Sequence, residues 1–513
     1  MMQRTIVIFL LFVTSNCFSQ PIFENVYKRT AGGSQQIGAF EGTQNGCYYA
    51  IGSDGNNVTS IVKIDSSGNH IWDRNFSDST GQVYIHTIKS MPDGGFAAAG
   101  GCNSGFLLMR GDSMGNVVWS RVYHYFFTSE AFSTIVMTPD QGFILSGNYW
   151  HNAQPFLVRV DSIGNVIYLK TFTENFNLTL IYKLQPSSDG NYFALFSSAD
   201  YPRARVMKFD VDGNQIWSVG VGDTSASAIV MSTSAICMST DGGCIVGGTL
   251  LDGPFTHQAM AICKINSMAG VDWIRIATSN TATYYGAYAV INTFDNGLMV
   301  GSGLYDTSGT FLNEFHLTKT DSLGHFLWTK KNSSIFSVID IKEKRDHGFT
   351  MASNVYIPQS QILIFNTDSF ANAPCDGSSM NVVDSTITLP LFTPHYTVSD
   401  HSMTQDTIIL AADSGMIVLD YCQLLSVPVE KKNSNISVFP NPFQTEARFN
   451  SQSAVENAQL KIYNILGVMV HEEKILNLNS YILHRNNLND GLYFYEVTDS
   501  DHQLIGNGKF VIE

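Results

Sequence analysis

Three groups of residues in this sequence have types and spacings that could do chemistry. Asp210-Val211-Asp212-Gly213-Asn214 reads like the opening of a calcium loop, in which oxygen ligands alternate with spacers. The later ligands of such a loop are missing, above all a Glu at the twelfth position. Sister segments carry a turn at the same place, so a turn is expected here and no metal. The second group is six cations, Lys63, Arg110, Arg159, Lys208, Lys264 and Lys319, each two residues before such a turn. Positions two apart on a strand share a face, so each cation lies on the same side as the Asp or Asn of its turn. A ring of positive charge could bind an anion. Six equal copies suit a ladder of ion pairs with turn carboxylates better, because one ligand rarely needs six identical contacts. The third group is a set of aromatic, His and Arg residues on irregular loops: Tyr125, Tyr149, Trp150, His151, Tyr201, Arg203, His257 and Tyr305. Side chains of this kind on loops of uneven length are typical of binding surfaces, and they stack well on sugar faces.

No catalytic constellation accompanies them. The chain has no G-x-S-x-G elbow, no H-E-x-x-H and no phosphate-cradling loop, and its 13 His are scattered. No catalytic residue, metal site or cofactor is therefore expected, and binding is favoured over catalysis. The ligand expected is a glycan or a surface protein. The alternative is a secreted polysaccharide hydrolase or lyase with scattered Asp, Glu and His on the same loop face. A net charge of −15 speaks against nucleic acid and anionic membranes, which need clustered Lys and Arg.

The elements that position these residues repeat. The stretch Met91–Tyr123 holds a Gly-rich turn, an alternating strand, a loop, a second strand, an Asp-Ser-x-Gly-Asn turn and a Trp-bearing third strand. The turn motif begins at Asp65, Asp112, Asp161, Asp210, Asn266, Asp321 and Asp368, in steps of 47, 49, 49, 56, 55 and 47 residues. Repeats of that length built from short strands predict a β-propeller of seven blades over residues 20–372. Trp72, Trp119, Tyr168, Trp217, Trp273 and Trp328 recur seven residues into the motif and read as packing anchors between blades. The seventh copy reads as incomplete, with no Gly-Asn turn after Asp368-Ser369 and no Trp strand. Phe23-Glu24-Asn25-Val26-Tyr27-Lys28 resembles Trp119-Ser120-Arg121-Val122-Tyr123, so the N-terminal strand should complete the last blade beside Gln361–Phe365. A closed ring leaves no open sheet edges of the kind an open array exposes.

Residues 1–19 read as a secretory signal: Arg4, then an apolar core from Thr5 to Val13, then Cys17-Phe18-Ser19 before the cut. No later stretch is long and apolar enough to be a transmembrane segment. Residues 373–434 lose the repeat and read as a β-rich connector, an extra hairpin or small sheet, that ends in a polar linker. Cys375 and Cys422 lie outside the repeats, and export permits a disulfide between them. Cys47 and Cys244 read as small core residues at the repeat position of Phe96, Phe143 and Phe349.

A new alternating pattern runs over residues 435–513. Val438-Phe439-Pro440-Asn441-Pro442-Phe443, then Leu460-Lys461-Ile462-Tyr463-Asn464-Ile465-Leu466-Gly467, then Asp490-Gly491-Leu492-Tyr493, and last Gly508-Lys509-Phe510-Val511-Ile512 follow one another. Together they resemble the type A C-terminal sorting domain of type IX secretion. The resemblance implies a small Ig-like β-sandwich carried by Pro440, Asn441, Pro442, Gly467, Gly491, Tyr493, Gly508 and Lys509. It also implies export through the periplasm and outer membrane by the type IX machinery. A sorting transpeptidase would then remove the domain, and the product would be secreted or attached to the cell surface. The fold class expected is all-β: a seven-bladed β-propeller closed by an N-terminal strand, then the sorting sandwich.

Overall fold

The computed structural model describes residues 22–29, 35–54, 59–79, 83–124, 131–148, 155–173, 178–198, 204–222, 230–251, 258–278, 284–305, 311–332, 338–356, 360–372, 378–380, 383–386, 391–392, 397–414, 416–420, 436–451, 456–464, 468–478, 481–486, 488–499 and 504–513. The secretory leader, Cys375 and Cys422 lie outside them. Every named element is a β-strand, and all sheets are antiparallel.

One repeat makes one sheet. In sheet 2 the strands Val83–Ser90, Phe96–Cys102, Gly105–Gly111 and Val117–His124 pair in chain order. The two middle strands are buried along their whole length, their apolar and small residues interrupted only by Arg110, which pairs with Asp93. Seven such sheets follow one another. Their first strands are Gln35–Gly42, Val83–Ser90, Ala131–Met137, Leu178–Pro186, Val230–Met238, Tyr284–Asn292 and Val338–Glu343, numbered here as sheets 1 to 7. Each first strand touches the next, and that of sheet 7 touches that of sheet 1. Seven apolar cores fill the gaps, one between each neighbouring pair of sheets.

The Asp-x-x-Gly-Asn turn also serves this packing. Its glycine has positive φ in five copies (Gly68, Gly115, Gly164, Gly213 and Gly324), and the anchor ring of the preceding sheet lies against each. A Cβ on Gly115 would meet Trp72 at 3.1 Å, and one on Gly324 would meet Trp273 at 2.7 Å. Glycine thus answers two demands at once, backbone and contact. Trp72 and Trp217 each donate their indole N–H to the carbonyl of the facing turn, Ser113 and Ser267, at 2.9 Å.

The N-terminal strand Glu24–Arg29 pairs with Ser360–Asn366 in the register Glu24 to Phe365 through Tyr27 to Ile362. Phe23 takes the anchor position: a Cβ on Gly68 of sheet 1 would meet its ring at 2.5 Å. The seventh turn is more complete than its sequence suggests. Ala371 adopts the left-handed conformation (φ 58°), and Asn372 bonds back to Asp368 through its N–H at 2.9 Å and its side chain at 2.7 Å. The register of the first copy also needs correcting. Thr43 N–H donates to Cys47 O as Met91 N–H does to Gly95 O, so Cys47 occupies the Gly95 position and Tyr48 that of Phe96. Cys47 is accordingly half-buried rather than part of a core.

The described strands between residues 378 and 420 form neither a hairpin nor a separate sheet. Ser378–Met380 adds a fifth strand to sheet 6, and Val383–Thr386 does so to sheet 5. Leu391–Phe392, Thr397–His401, Thr404–Thr407 and Ala411–Asp413 then join sheets 4, 3, 2 and 1. Met416–Asp420 reaches sheet 7 and pairs with the N-terminal strand. This belt visits every sheet in reverse order and covers each outer edge.

A second compact unit, Leu424–Glu513, has its own core. A three-stranded sheet (Ile436–Phe439, Glu446–Ser451 and Ile482–His484) and a four-stranded one (Glu456–Asn464, Met469–Asn477, Gly491–Thr498 and Leu504–Ile512) share it, with Phe449, Leu460, Tyr495 and Phe510 buried inside.

Candidate functional site

At the turn end of the sheets every repeated polar group has structural work. Asp112 accepts from the N–H groups of Met114 and Asn116, both at 2.8 Å, and from the Asn116 side chain at 2.9 Å. Asp210 does the same with Asp212 and Asn214, and Asp212 pairs with Arg159 at 3.1 Å. Asp210–Asn214 is thus a turn. The cation series is a ladder of ion pairs, but the acids come from the other turn, Asp-Gly-Gly. Arg110 pairs with Asp93, Arg159 with Asp140 (3.0 Å), Lys208 with Asp189 (2.5 Å), Lys264 with Asp241 and Lys319 with Asp295 (2.9 Å). Burial opposes ionisation of Asp189, but Lys208, Ser187 and the Asn191 N–H outweigh it and bring its carboxyl down to about 2. In the first copy Asn45 stands at the position of the Asp, and Lys63 donates to the carbonyls of Ser113 (3.0 Å) and Gly94 (3.4 Å) instead.

The inner ends of the sheets are built differently. Each of the seven first strands carries a β-bulge, and in each the extra residue lies five before the residue that opens the next turn. The bulge residues are Gly38, His86, Ser133, Tyr182, Ser234, Tyr288 and Ile339, and all seven line one cavity of about 1360 Å³. A bulge redirects a side chain out of the alternating pattern. The same device used seven times gathers residues of five types around one channel.

Ionised groups join them. Lys342 lies 2.9 Å from Asp340 and 3.7 Å from Glu41, which also takes Lys89 at 3.1 Å. Burial lowers the pKa of Lys342, but Asp340 and Glu41 outweigh it and hold it charged well above the ordinary lysine range. Burial likewise works against the Asp340 anion, and Lys342 and Lys183 keep it ionised below its usual range. Lys183 follows the bulge residue Tyr182 and faces the same channel. Its pKa is lowered by burial, with Asp340 opposing in part. His86 is depressed by burial as well.

In the second unit, the Pro-Asn-Pro segment clasps the last strand. Asn441 Oδ1 accepts from Val511 N–H at 2.8 Å, and Phe443 exchanges bonds with Val511 O (3.1 Å) and Glu513 N–H (3.0 Å). Tyr493 stacks on Phe510 at 5.6 Å. Gly508 leaves room for the Tyr495 ring, which an added Cβ would meet at 2.6 Å. Residues 437–513 match the secretion system C-terminal sorting domain. This sorting domain marks the chain for export by the type IX machinery to a secreted or cell-surface location. No helix among the described residues is long and apolar enough to cross a membrane.

No curated protein matches the chain. Among solved structures, a protein of unknown function from Bacteroides caccae is 12% identical with a TM-score of 0.33, covering 60% of this chain and 93% of its own. PorZ, a surface component of the type IX secretion system of Porphyromonas gingivalis, is 6% identical with a TM-score of 0.23, covering 93% and 82%. The polysaccharide lyase Uly1 is 7% identical with a TM-score of 0.40, covering 66% and 90%.

Of the loop residues singled out in the sequence, Tyr125, Tyr149, Trp150, His151, Tyr201, Arg203 and His257 lie outside the described residues. Tyr305 ends the strand Leu298–Tyr305 opposite Phe311, and its side chain lies outside them. Gly467 of the sorting motifs does too. The channel group of Glu41, Lys89, Lys183, Asp340 and Lys342 was not found from sequence. The available signal was positional and weak: the residue five before each Asp-Gly-Gly-like turn varies among the copies, but so do the residues one and two before it.

Proposed function

We propose that this protein is a seven-bladed β-propeller, closed by its N-terminal strand, that an Ig-like sorting domain delivers to the cell surface, where it binds a glycan in its central channel. The observation that carries this reading is the bulge ring. The seven bulge residues, of five types (Gly, His, Ser, Tyr and Ile), converge on one cavity. Catalysis by a carboxylate pair is disfavoured. A glycoside hydrolase needs one carboxyl with a raised pKa, yet Glu41 and Asp340 both sit against Lys342, and Asp340 is held ionised. A transpeptidase that removes the sorting domain is the partner expected after export.

The test is calorimetric titration of the full exported chain with a panel of soluble oligosaccharides. Tyr182→Ala and Tyr288→Ala should each weaken binding about tenfold, the loss of one stacked ring. Binding that ignores both, but is lost in the double variant Trp150→Ala/Tyr201→Ala, would move the site to the loop rim. A ligand that proves to be a protein, with no sugar bound by any variant, would overturn the glycan reading.

A further inference from the structure

We infer that the channel contains an anion subsite at Lys183 and that the glycan it accepts carries carboxylates, as uronic acid residues do; the inference rests on the channel reading above. The channel brings three lysines, Lys89, Lys183 and Lys342, against two carboxylates, Glu41 and Asp340. Both carboxylates are taken up by Lys342 and Lys89. Lys183 is left over, and among the described residues it has no hydrogen bond or ion pair. Its nearest carboxylate, Asp340, acts on it only at a distance and is already paired with Lys342. A half-buried ammonium held so weakly is costly, and a ligand anion would supply what the protein withholds.

The surroundings select the kind of anion. Tyr182 precedes Lys183 on the bulge and is 48% exposed, an aromatic face open to the channel beside the cation. Ser133 and Thr134 from sheet 3 and Ser234 from sheet 5 line the flanks; Ser133 and Ser234 donate their hydroxyl protons to the Ile181 and Ala287 carbonyls at 3.2 and 2.7 Å, which leaves their oxygens as acceptors. A flat ring, a cation and hydroxyl walls match a pyranose bearing a carboxylate. An acidic peptide fits less well. A peptide would add as a strand along an inner edge, and every inner strand is broken by its bulge. The cavity, about 1360 Å³, exceeds the roughly 300–1,000 Å³ of small-ligand pockets, so an oligomer is the expected occupant.

The experiment titrates the full exported chain with trigalacturonate, with the same trisaccharide after carboxyl reduction, and with a Glu-rich peptide. Wild type, Lys183→Gln, Lys183→Arg and Tyr182→Ala are compared, with circular dichroism as the check on folding. Trigalacturonate should bind best. Lys183→Gln should cost it about tenfold or more and leave the neutral sugar unchanged, as loss of a charge-assisted contact requires. Lys183→Arg should restore part of the loss. Equal affinity for neutral and acidic sugars, both weakened by Tyr182→Ala, would sink the anion subsite and leave the channel reading intact. Sugar binding indifferent to Lys183 and Tyr182 alike, or absent altogether, would sink both. Lys183-dependent binding of the peptide without the uronate would overturn the choice of sugar.

Discussion

Lys63 and Lys208 hold the same place in two copies of one repeat, and the turn residue at the matching position differs between them. Lys208 meets Asp189, whereas Lys63 finds Asn45 at the matching turn position. Asn45→Asp should therefore complete the ladder and raise stability by ~0.5 kcal/mol, the usual yield of a partly exposed pair, as read from urea unfolding. The same pairs give the molecule an acid limit. Asp189 and Asp295 have folded pKa values of about 2, below the ordinary carboxyl value. A depressed folded pKa contributes stability that is present above the unfolded value and is lost as pH falls through the folded one. Thermal midpoints should hold above about pH 4 and fall toward pH 2, and Lys208→Met should flatten part of that slope. A midpoint that is flat down to pH 2 would remove these pairs from the stability account. That the cations pair with turn acids could be read from their spacing. Which turn supplies the acid could not, because Asp93 and Asp112 are both in reach of the sequence pattern and only the strand register separates them.

In the proposed propeller, closure turns on one strand and one glycine. Gly68 has positive φ and also receives the Phe23 ring, whereas Gly190 has positive φ (85°) and open space around it. Gly190→Ala should cost only the left-handed backbone penalty, ~1 kcal/mol. Gly68→Ala should cost ~2–4 kcal/mol, because it also displaces the ring that seats the sealing strand. Equal losses for the two would mean that Phe23 contributes nothing to closure. Scanning calorimetry decides it. The sealing strand could be read in advance because Phe23–Lys28 keeps the alternation and ring placement of a fourth strand. The belt could not. Its strands are short, mostly polar and joined to their sheets through backbone pairing, as Thr404–Thr407 shows against Arg121–His124, so they leave no apolar pattern. The channel escaped for the opposite reason: its seven bulge residues share a position but not one chemistry, ranging from Gly38 and Ile339 to His86 and Tyr182, and a motif search needs shared chemistry.

At the scale of the molecule, the belt raises the question of what fastens its ends. It leaves sheet 7 at Asn372, which closes the turn begun at Asp368, and that turn lies beside Asn366, whose N–H donates to Phe23 O at 2.8 Å. It returns to sheet 7 at Asp420, which pairs with Asn25, two residues along the same strand from Phe23. Departure and return thus meet at one end of one sheet. Cys375 follows the first point by three residues and Cys422 follows the second by two. We propose that these cysteines form a disulfide, which an exported protein can keep. The bond would convert the belt into a covalent hoop around all seven sheets. Cys375→Ser/Cys422→Ser should then lower stability by ~2–4 kcal/mol. Peptide mapping without reductant should find the two cysteines in one linked fragment. Alkylation of both thiols in the native, unreduced protein would show the hoop to be open, and the belt would then be held by strand pairing and the few apolar contacts of Met403, Ile408, Leu410, Met416, Val418 and Leu419.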